Sequence, residues 1–301
     1  MPENLRIGLL LPMTDSDGPG RAPRWPEILA FARHVEEAGC DSLWVCDHLL
    51  SHPGDGSTEG VIEAWTLLAA LAAVTDRIEL GQLVTCISFR NPAILAKMAA
   101  TADEISDGRV ILGLGAGWDD LEYRAFGLAT DHRVDRFEEA LGIVGPLVRG
   151  KRVAVTGTHH RVDDAILLPP PARRIPILIA ADGPRMLRLT ARHADAWNTA
   201  WFGAPDDRLR AKLAEFDRAL RAERRDPDDV RRTVGMSVVD PEAGSPSAVD
   251  DEEPFTGSVE ELARAFDDYA AVGVEELILL LQPTTERSVD RVSAARRLVS
   301  G

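Results

Sequence analysis

Aspartate and histidine stand side by side at Asp47-His48, directly after an apolar run, in DSLWVCDH. Histidine titrates near neutrality and a neighbouring carboxylate tunes it, so the pair suits general acid–base work. A buried histidine satisfied by a backbone carbonyl is the competing reading. A second feature is VILGLGAGW, where Gly113, Gly115 and Gly117 alternate before Trp118. Alternate residues of a strand share a face. One face at this strand's end therefore lacks side chains, either to let a flat ring approach the backbone or to relieve crowding inside a tapering barrel. A third is AADGPR, where Ala181, Asp182, Gly183, Pro184 and Arg185 lead from an apolar run into a helical stretch. Free N–H groups at that helix start, with Arg185, would hold a phosphate, although Gly183 and Pro184 also suit an ordinary turn. Met13, Trp118 and Trp201 are candidates for the wall of a ligand pocket, whereas Trp44, Trp65 and Trp197 read as packing.

Other chemistries find no support. Cys40, Cys46 and Cys86 are odd in number and lack CxxC spacing, which points to reduced thiols in a cytoplasm and to no structural zinc. His48 and His52 are four apart, but Pro53-Gly54 breaks any helix that would align them on a metal, and His159-His160 falls in a predicted surface hairpin. There is no GxSxG and no Walker loop, and the glycines read GxGxG after a fourth strand rather than GxGxxG after a first.

The elements that must position these residues repeat one pattern of helix, glycine, strand. EEAGCDSLWV, EISDGRVIL and YAAVGVEELILLL each place a glycine where a helix C-cap needs a left-handed residue, with an apolar run directly after it. Eight strands are expected at residues 6–11, 42–46, 78–85, 109–114, 175–180, 196–199, 233–239 and 276–281. Several are solid apolar runs, as buried parallel strands should be. Pro26 marks a helix start, with Ile28, Phe31, Val35 and Ala38 on one face. Ser258 and Glu261 fit a capping box, with Leu262, Phe266 and Tyr269 following on one face. Eight β/α units in 301 residues imply a single α/β domain over 1–301, a (β/α)8 TIM barrel with its active site at the strands' C-terminal ends. Insertions are expected after the fourth helix (residues 151–174, a hairpin and proline-rich return) and after the seventh strand (residues 240–256, a polar excursion suited to a lid).

Composition bounds the partners. Hydrophobic residues make up 45%, enough for a large core, and no apolar run approaches a membrane span. The first residues lack the regions of a signal peptide. A net charge of −15 argues against nucleic acid and anionic membranes and requires any anionic ligand to find a local pocket of N–H groups.

DSLWVCDHLL, the long stretch RIELGQLVTCISFRNPAILAKMAATADEISDGRVILGLGAGWDDLEYRAFG, PILIAADGPRMLRLTARHADAWN and GSVEELARAFDDYAAVGVEELIL together resemble the luciferase-like monooxygenase superfamily, in particular its deazaflavin (coenzyme F420) branch. The resemblance implies a barrel that binds a flavin or deazaflavin at its C-terminal face, usually as a homodimer. By position, Asp47 and His48 match an Asp-His pair beside the ring. In deazaflavin sugar-phosphate dehydrogenases of this family that histidine assists proton removal. Gln82-Leu83 matches a bulge, often with a non-prolyl cis peptide, that presses on the ring. Thr85 matches a cofactor-contacting threonine, and Asp182-Gly183 matches a Gly-Gly pair near the cofactor phosphate. By their place at the end of the fourth strand, Gly115 and Gly117 would leave room beside a bound ring. Trp118 stands where the sugar-phosphate enzymes carry an acidic glutamate, and Asp182 replaces a glycine. The expected activity is hydride transfer between F420 and a small organic substrate. The alternatives are an FMN-dependent monooxygenase fed by a separate reductase and a flavin-binding barrel without turnover.

Overall fold

A computed structural model of the chain describes residues 5–17, 21–52, 56–242 and 253–299. Its centre is a closed ring of eight parallel strands: β1 (Arg6–Leu10), β2 (Ser42–Val45), β3 (Glu79–Gln82), β4 (Val110–Gly115), β5 (Ile177–Ala180), β6 (Ala196–Phe202), β7 (Arg231–Val239) and β8 (Glu276–Gln282). Each strand pairs with its successor, and β8 pairs back to β1, with Arg6 opposite Glu276. This is the TIM barrel expected from the repeating pattern.

The helices follow from amphipathic runs with defined starts and stops. In α1 (Trp25–Glu37), Ile28, Phe31, Ala32 and Val35 are buried. Next come α2 (Ala64–Val74), α3 (Pro92–Ile105) and two helices after β4: the short α4 (Asp120–Ala125) and the long α5 (Arg133–Leu147). After β5 the chain forms α6 (Pro184–His193), α7 (Asp207–Ala222), α8 (Val259–Ala271) and α9 (Glu286–Val299). The Ser258–Glu261 capping box forms at the start of α8: the Ser258 N–H donates to Glu261 Oε2 at 2.7 Å and the Glu261 N–H to Ser258 Oγ at 3.2 Å. Gly39, Gly108 and Gly273 all take positive φ where the helix turns into the next strand.

One core fills the layer between barrel and helices, and a second, smaller one fills the barrel interior around Trp44, Ile111, Leu178 and Ile278. Trp44 lies across the interior because Gly81 and Gly8 leave it room. A Cβ on Gly81 would come within 2.8 Å of Trp44 Cη2, and one on Gly8 within 2.7 Å of its Nε1. Trp65 and Trp197 are also buried, as expected. The floor of the barrel is sealed by charge. Glu276 is fully buried and accepts from Ser42 Oγ at 2.5 Å and Arg231 Nη1 at 3.1 Å, while Ser42 Oγ accepts from Trp44 Nε1 at 2.7 Å.

Two strands are irregular, the third of them close to where a break was expected. The third stops at Gln82 and resumes only as Thr85–Cys86, with a non-prolyl cis peptide at Leu83–Val84, one residue beyond the expected Gln82-Leu83 bulge. The sixth runs on to Phe202 through a register shift and a second such peptide at Ala200–Trp201. Both irregular segments lie against a neighbour that lacks a side chain. A Cβ on Gly113 would overlap the Gln82 carbonyl, one on Gly115 would come within 2.5 Å of Val84 Cγ2, and one on Gly235 would come within 2.5 Å of Ala200 Cβ.

The insertion after α5 is the antiparallel hairpin of Val153–Thr156 and Arg161–Ala165. After β7, Phe255–Thr256 pairs with Val238–Val239. Most of the expected lid, residues 243–252, lies outside the described residues. Among the described residues, no helix is long and apolar enough to cross a membrane.

Candidate active site

The chemistry-bearing residues gather at the C-terminal mouth, but with different partners from those the sequence suggested. Asp47 and His48 follow β2 and diverge. Asp47 is 4% exposed and turns its carboxylate to Arg90, whose Nη1 and Nη2 donate at 2.5 and 2.7 Å, and to the Cys86 N–H at 3.0 Å. Burial raises the Asp47 pKa, while Arg90 and the Cys86 N–H pull against it. Arg90 also donates to Glu63 at 2.8 Å, and Glu63 in turn caps α2 through the Trp65 and Thr66 N–H groups. Asp47 therefore braces the resumed end of the third strand. It makes no hydrogen bond to His48 and acts on it only through its charge, which raises the His48 pKa as expected of a neighbouring carboxylate.

His48 finds its carboxylate on α4 instead. Its Nδ1 lies 3.2 Å from Glu122 Oε2, which also accepts from the Leu49 N–H at 2.7 Å and the Leu50 N–H at 3.3 Å. The Glu122 side chain is 2% exposed and the His48 side chain 31%. Burial pulls the His48 pKa down, but the hydrogen bond and charge of Glu122, with Asp47 and Asp119 nearby, outweigh it and the net shift is upward. A parallel clasp joins His52 Nδ1 to Asp119 Oδ2 at 2.8 Å, and Asp119 caps α4 by accepting from the Leu121 N–H at 2.8 Å. Two imidazole–carboxylate pairs thus tie the loop after β2 to the segment after β4. Trp118, expected on the wall of a ligand pocket, is 70% exposed and packs edge-on to His48, with ring centroids 5.6 Å apart. Met13, expected on a pocket wall, is fully buried in the core with its sulfur 3.8 Å from Cys46 Sγ.

Alternating glycines would clear space for a flat ring only if nothing else filled it. The Gln82 carbonyl and Val84 fill the positions over Gly113 and Gly115, and Gly117, at φ +80°, is crowded by Tyr123 Oη and Cys86 Sγ. These glycines accommodate the broken strand itself, so the reading of Gly115 and Gly117 as ring-side clearance is corrected. Gln82 and Thr85 are buried, and among the described residues the Gln82 amide and the Thr85 hydroxyl have no partner.

At the end of β5, Ala181 is buried and its carbonyl accepts from Trp197 Nε1 at 2.8 Å. Asp182 is directed to Thr199 Oγ1 at 3.1 Å and Lys212 Nζ at 3.2 Å. Gly183 is the N-cap of α6 with no side-chain cap, Pro184 opens the helix, and a Cβ on Gly183 would meet nothing within 4 Å. Arg185 departs from expectation. Its guanidinium is held by Asp135 at 2.6 Å and Glu138 at 2.5 Å, so this end of α6 offers backbone N–H groups rather than a free arginine.

Glu122, Arg90 and Asp119 were not singled out from sequence, and His52 was weighed only as half of a metal pair with His48. Asp119-x-x-Glu122 has the spacing of a helix cap, the one local signal that could have drawn attention to them.

The chain is 35% identical over 216 residues, 70% of its length, to an F420-dependent glucose-6-phosphate dehydrogenase of Microbacterium testaceum, and spans 63% of that protein. A solved F420-dependent secondary alcohol dehydrogenase with an F420–acetone adduct superposes with TM-score 0.82 at 21% identity, over 98% of this chain and 99% of that one. A riboflavin lyase solved with modified FMN superposes with TM-score 0.83 at 16% identity, over 98% and 91%. Residues 5–276 match the luciferase-like monooxygenase family, and the chain belongs to it.

Proposed function

We propose that this single-domain barrel is an oxidoreductase that moves a hydride between coenzyme F420 and a small organic substrate. The F420 dependence of the curated relatives supports the cofactor, and the observation that carries the chemistry is His48, half-buried at the mouth with a buried carboxylate on its Nδ1.

The residues present fit such a cofactor. An uncapped helix start with open space at Gly183 suits a phosphate, and the buried, unpartnered Thr85 hydroxyl is a polar atom awaiting a ligand. In this reading Gln82, Leu83 and Thr85 face the ring, and Ala181, Asp182, Gly183, Pro184 and Arg185 surround the phosphate chiefly through main-chain N–H groups. F420 supplies the two-electron hydride chemistry when bound. The chain's own residues orient the reactants, and His48 takes or returns the substrate proton. Trp118 shapes the substrate side, where its indole replaces the glutamate of the sugar-phosphate enzymes, so the substrate is a small alcohol or carbonyl compound other than a sugar phosphate. Asp47 braces the mouth through Arg90. Cytoplasmic residence and a homodimer complete the proposal, in keeping with three cysteines that form no disulfide.

A second reading, an FMN-dependent monooxygenase served by a separate reductase, is favoured by the close superposition on an FMN-holding barrel. Anaerobic titration of the pure protein with F420 and with FMN separates the two. We expect F420 to bind at about micromolar Kd or tighter, equivalent to about −8 kcal/mol, and FMN to bind more weakly. FMN binding equal to or tighter than that of F420 overturns the deazaflavin assignment and leaves the fold intact.

A further inference from the structure

We infer that Glu122 is the positioning residue for His48, fixing its tautomer so that Nε2 is the nitrogen presented to substrate. The inference rests on the oxidoreductase reading for its catalytic consequence, but its structural content stands apart from any substrate.

A carboxylate only accepts hydrogen bonds. Glu122 Oε2 already accepts from the Leu49 and Leu50 N–H groups, so the His48 nitrogen at 3.2 Å approaches as a third donor. Nδ1 therefore carries hydrogen in both charge states, and in neutral His48 the lone pair resides on Nε2. The backbone bonds hold more than the ring. The same oxygen that orients the imidazole fixes the peptides of the two residues after it, so the histidine and its loop are set by one side chain. At 2% exposure the Glu122 side chain is shielded from water, which strengthens its hold on a charged imidazole.

The groups facing His48 are few. Glu122 and Asp119 approach from α4 and its cap, Asp47 neighbours it in the chain, and His52 is engaged by Asp119. Trp118 covers it edge-on. Asp47 is already paired with Arg90 and Asp119 with His52, so Glu122, which bears directly on the ring, does most to favour the imidazolium form. When an alcohol is oxidised to a carbonyl compound, its carbon loses a hydride to oxidised F420 and its hydroxyl proton moves to Nε2, and Glu122 stabilises the imidazolium so formed. In the reverse direction the same imidazolium returns the proton to the carbonyl oxygen. This is the arrangement of a base oriented by a third group.

The test uses the native protein, selectively labelled with 15N-histidine, and the variant Glu122→Gln. In native protein above the His48 pKa, long-range 1H–15N correlation should show hydrogen on Nδ1 and none on Nε2. The opposite tautomer overturns the inference without any variant. In Glu122→Gln, His48 should titrate at lower pH than in the native protein while the F420 Kd stays within about twofold. With a turned-over alcohol, kcat should fall about tenfold to a hundredfold, KM should change little and the acidic limb of the pH profile, where the base becomes protonated, should move to lower pH, as expected for loss of support to a general base. Glu122→Asp should recover part of kcat. An unchanged His48 titration in Glu122→Gln overturns the inference. Failure of the native protein to bind F420 or oxidise any alcohol overturns the oxidoreductase reading instead, and the tautomer and titration still decide the role of Glu122.

Discussion

Replacing Asp47 by alanine should destabilise the apoprotein by about 2–4 kcal/mol, and the estimate follows from the contacts. The variant removes the acceptor of two Arg90 N–H groups at 2.5 and 2.7 Å and of the Cys86 N–H at 3.0 Å. The Asp47 side chain is 1% exposed and that of Arg90 13%, so water does not replace what is lost. Breaking a buried pair by removing one partner costs about 3–5 kcal/mol. Arg90 keeps Glu63 at 2.8 Å, but that side chain is 44% exposed and compensates only in part, by about 1 kcal/mol. Asp47→Asn retains an acceptor and should cost less, about 1–3 kcal/mol. Removing both charges in Asp47→Leu/Arg90→Leu should cost less than the sum of the single leucine changes by about 1–3 kcal/mol, because neither charge is left stranded. Urea unfolding of the five variants and of native protein gives the comparison. A loss below about 0.5 kcal/mol for Asp47→Ala, or strict additivity in the double variant, refutes the argument that this pair braces the mouth.

Gly113→Ala should lower unfolding stability by about 1–3 kcal/mol, because its Cβ overlaps the Gln82 carbonyl. Gly142→Ala, in α5 with open space around it, should instead stabilise by up to about 1 kcal/mol, and urea midpoints separate the two. The upward shift of His48 fixes the sign of a pH effect. Stability contributed by its charged form is complete below the unfolded-state pKa and lost as pH rises through the folded one, so native protein should exceed His48→Ala in stability by more on the acid side than on the alkaline side. Asp182→Asn should tighten F420 binding about fivefold, equivalent to about 1 kcal/mol, by removing a negative charge from the start of α6 and freeing Lys212; calorimetry showing weaker binding would contradict the placement of the phosphate.

The barrel was legible because its determinants are local. Gly39, Gly108 and Gly273 each end a helix at positive φ, and the apolar run that follows each one is a strand. The capping box at Ser258 depends on residues three apart and was equally readable. The site was legible in its positions and not in its pairings. Adjacency suggested Asp47 as the partner of His48, but consecutive side chains after a strand diverge, and Glu122 reaches His48 from 74 residues away. The alternating glycines signalled a close approach correctly. What approaches is the chain's own Gln82–Val84 segment, which no local pattern in either strand specifies. Arg185 shows the same limit: its place at a helix start was readable, but Asp135 and Glu138 on α5 decide where its charge goes.

The central claim is that the C-terminal mouth, built on the broken third strand, His48 and the start of α6, is the F420 site. A crystal structure of the protein with oxidised F420 tests it most directly. The account predicts the deazaflavin ring against the segment between Gln82 and Thr85, His48 Nε2 facing the substrate side of the ring, and the phosphate on the main-chain N–H groups after Gly183. A cofactor seated away from this mouth, or a mouth that takes up FMN and excludes F420, would contradict it.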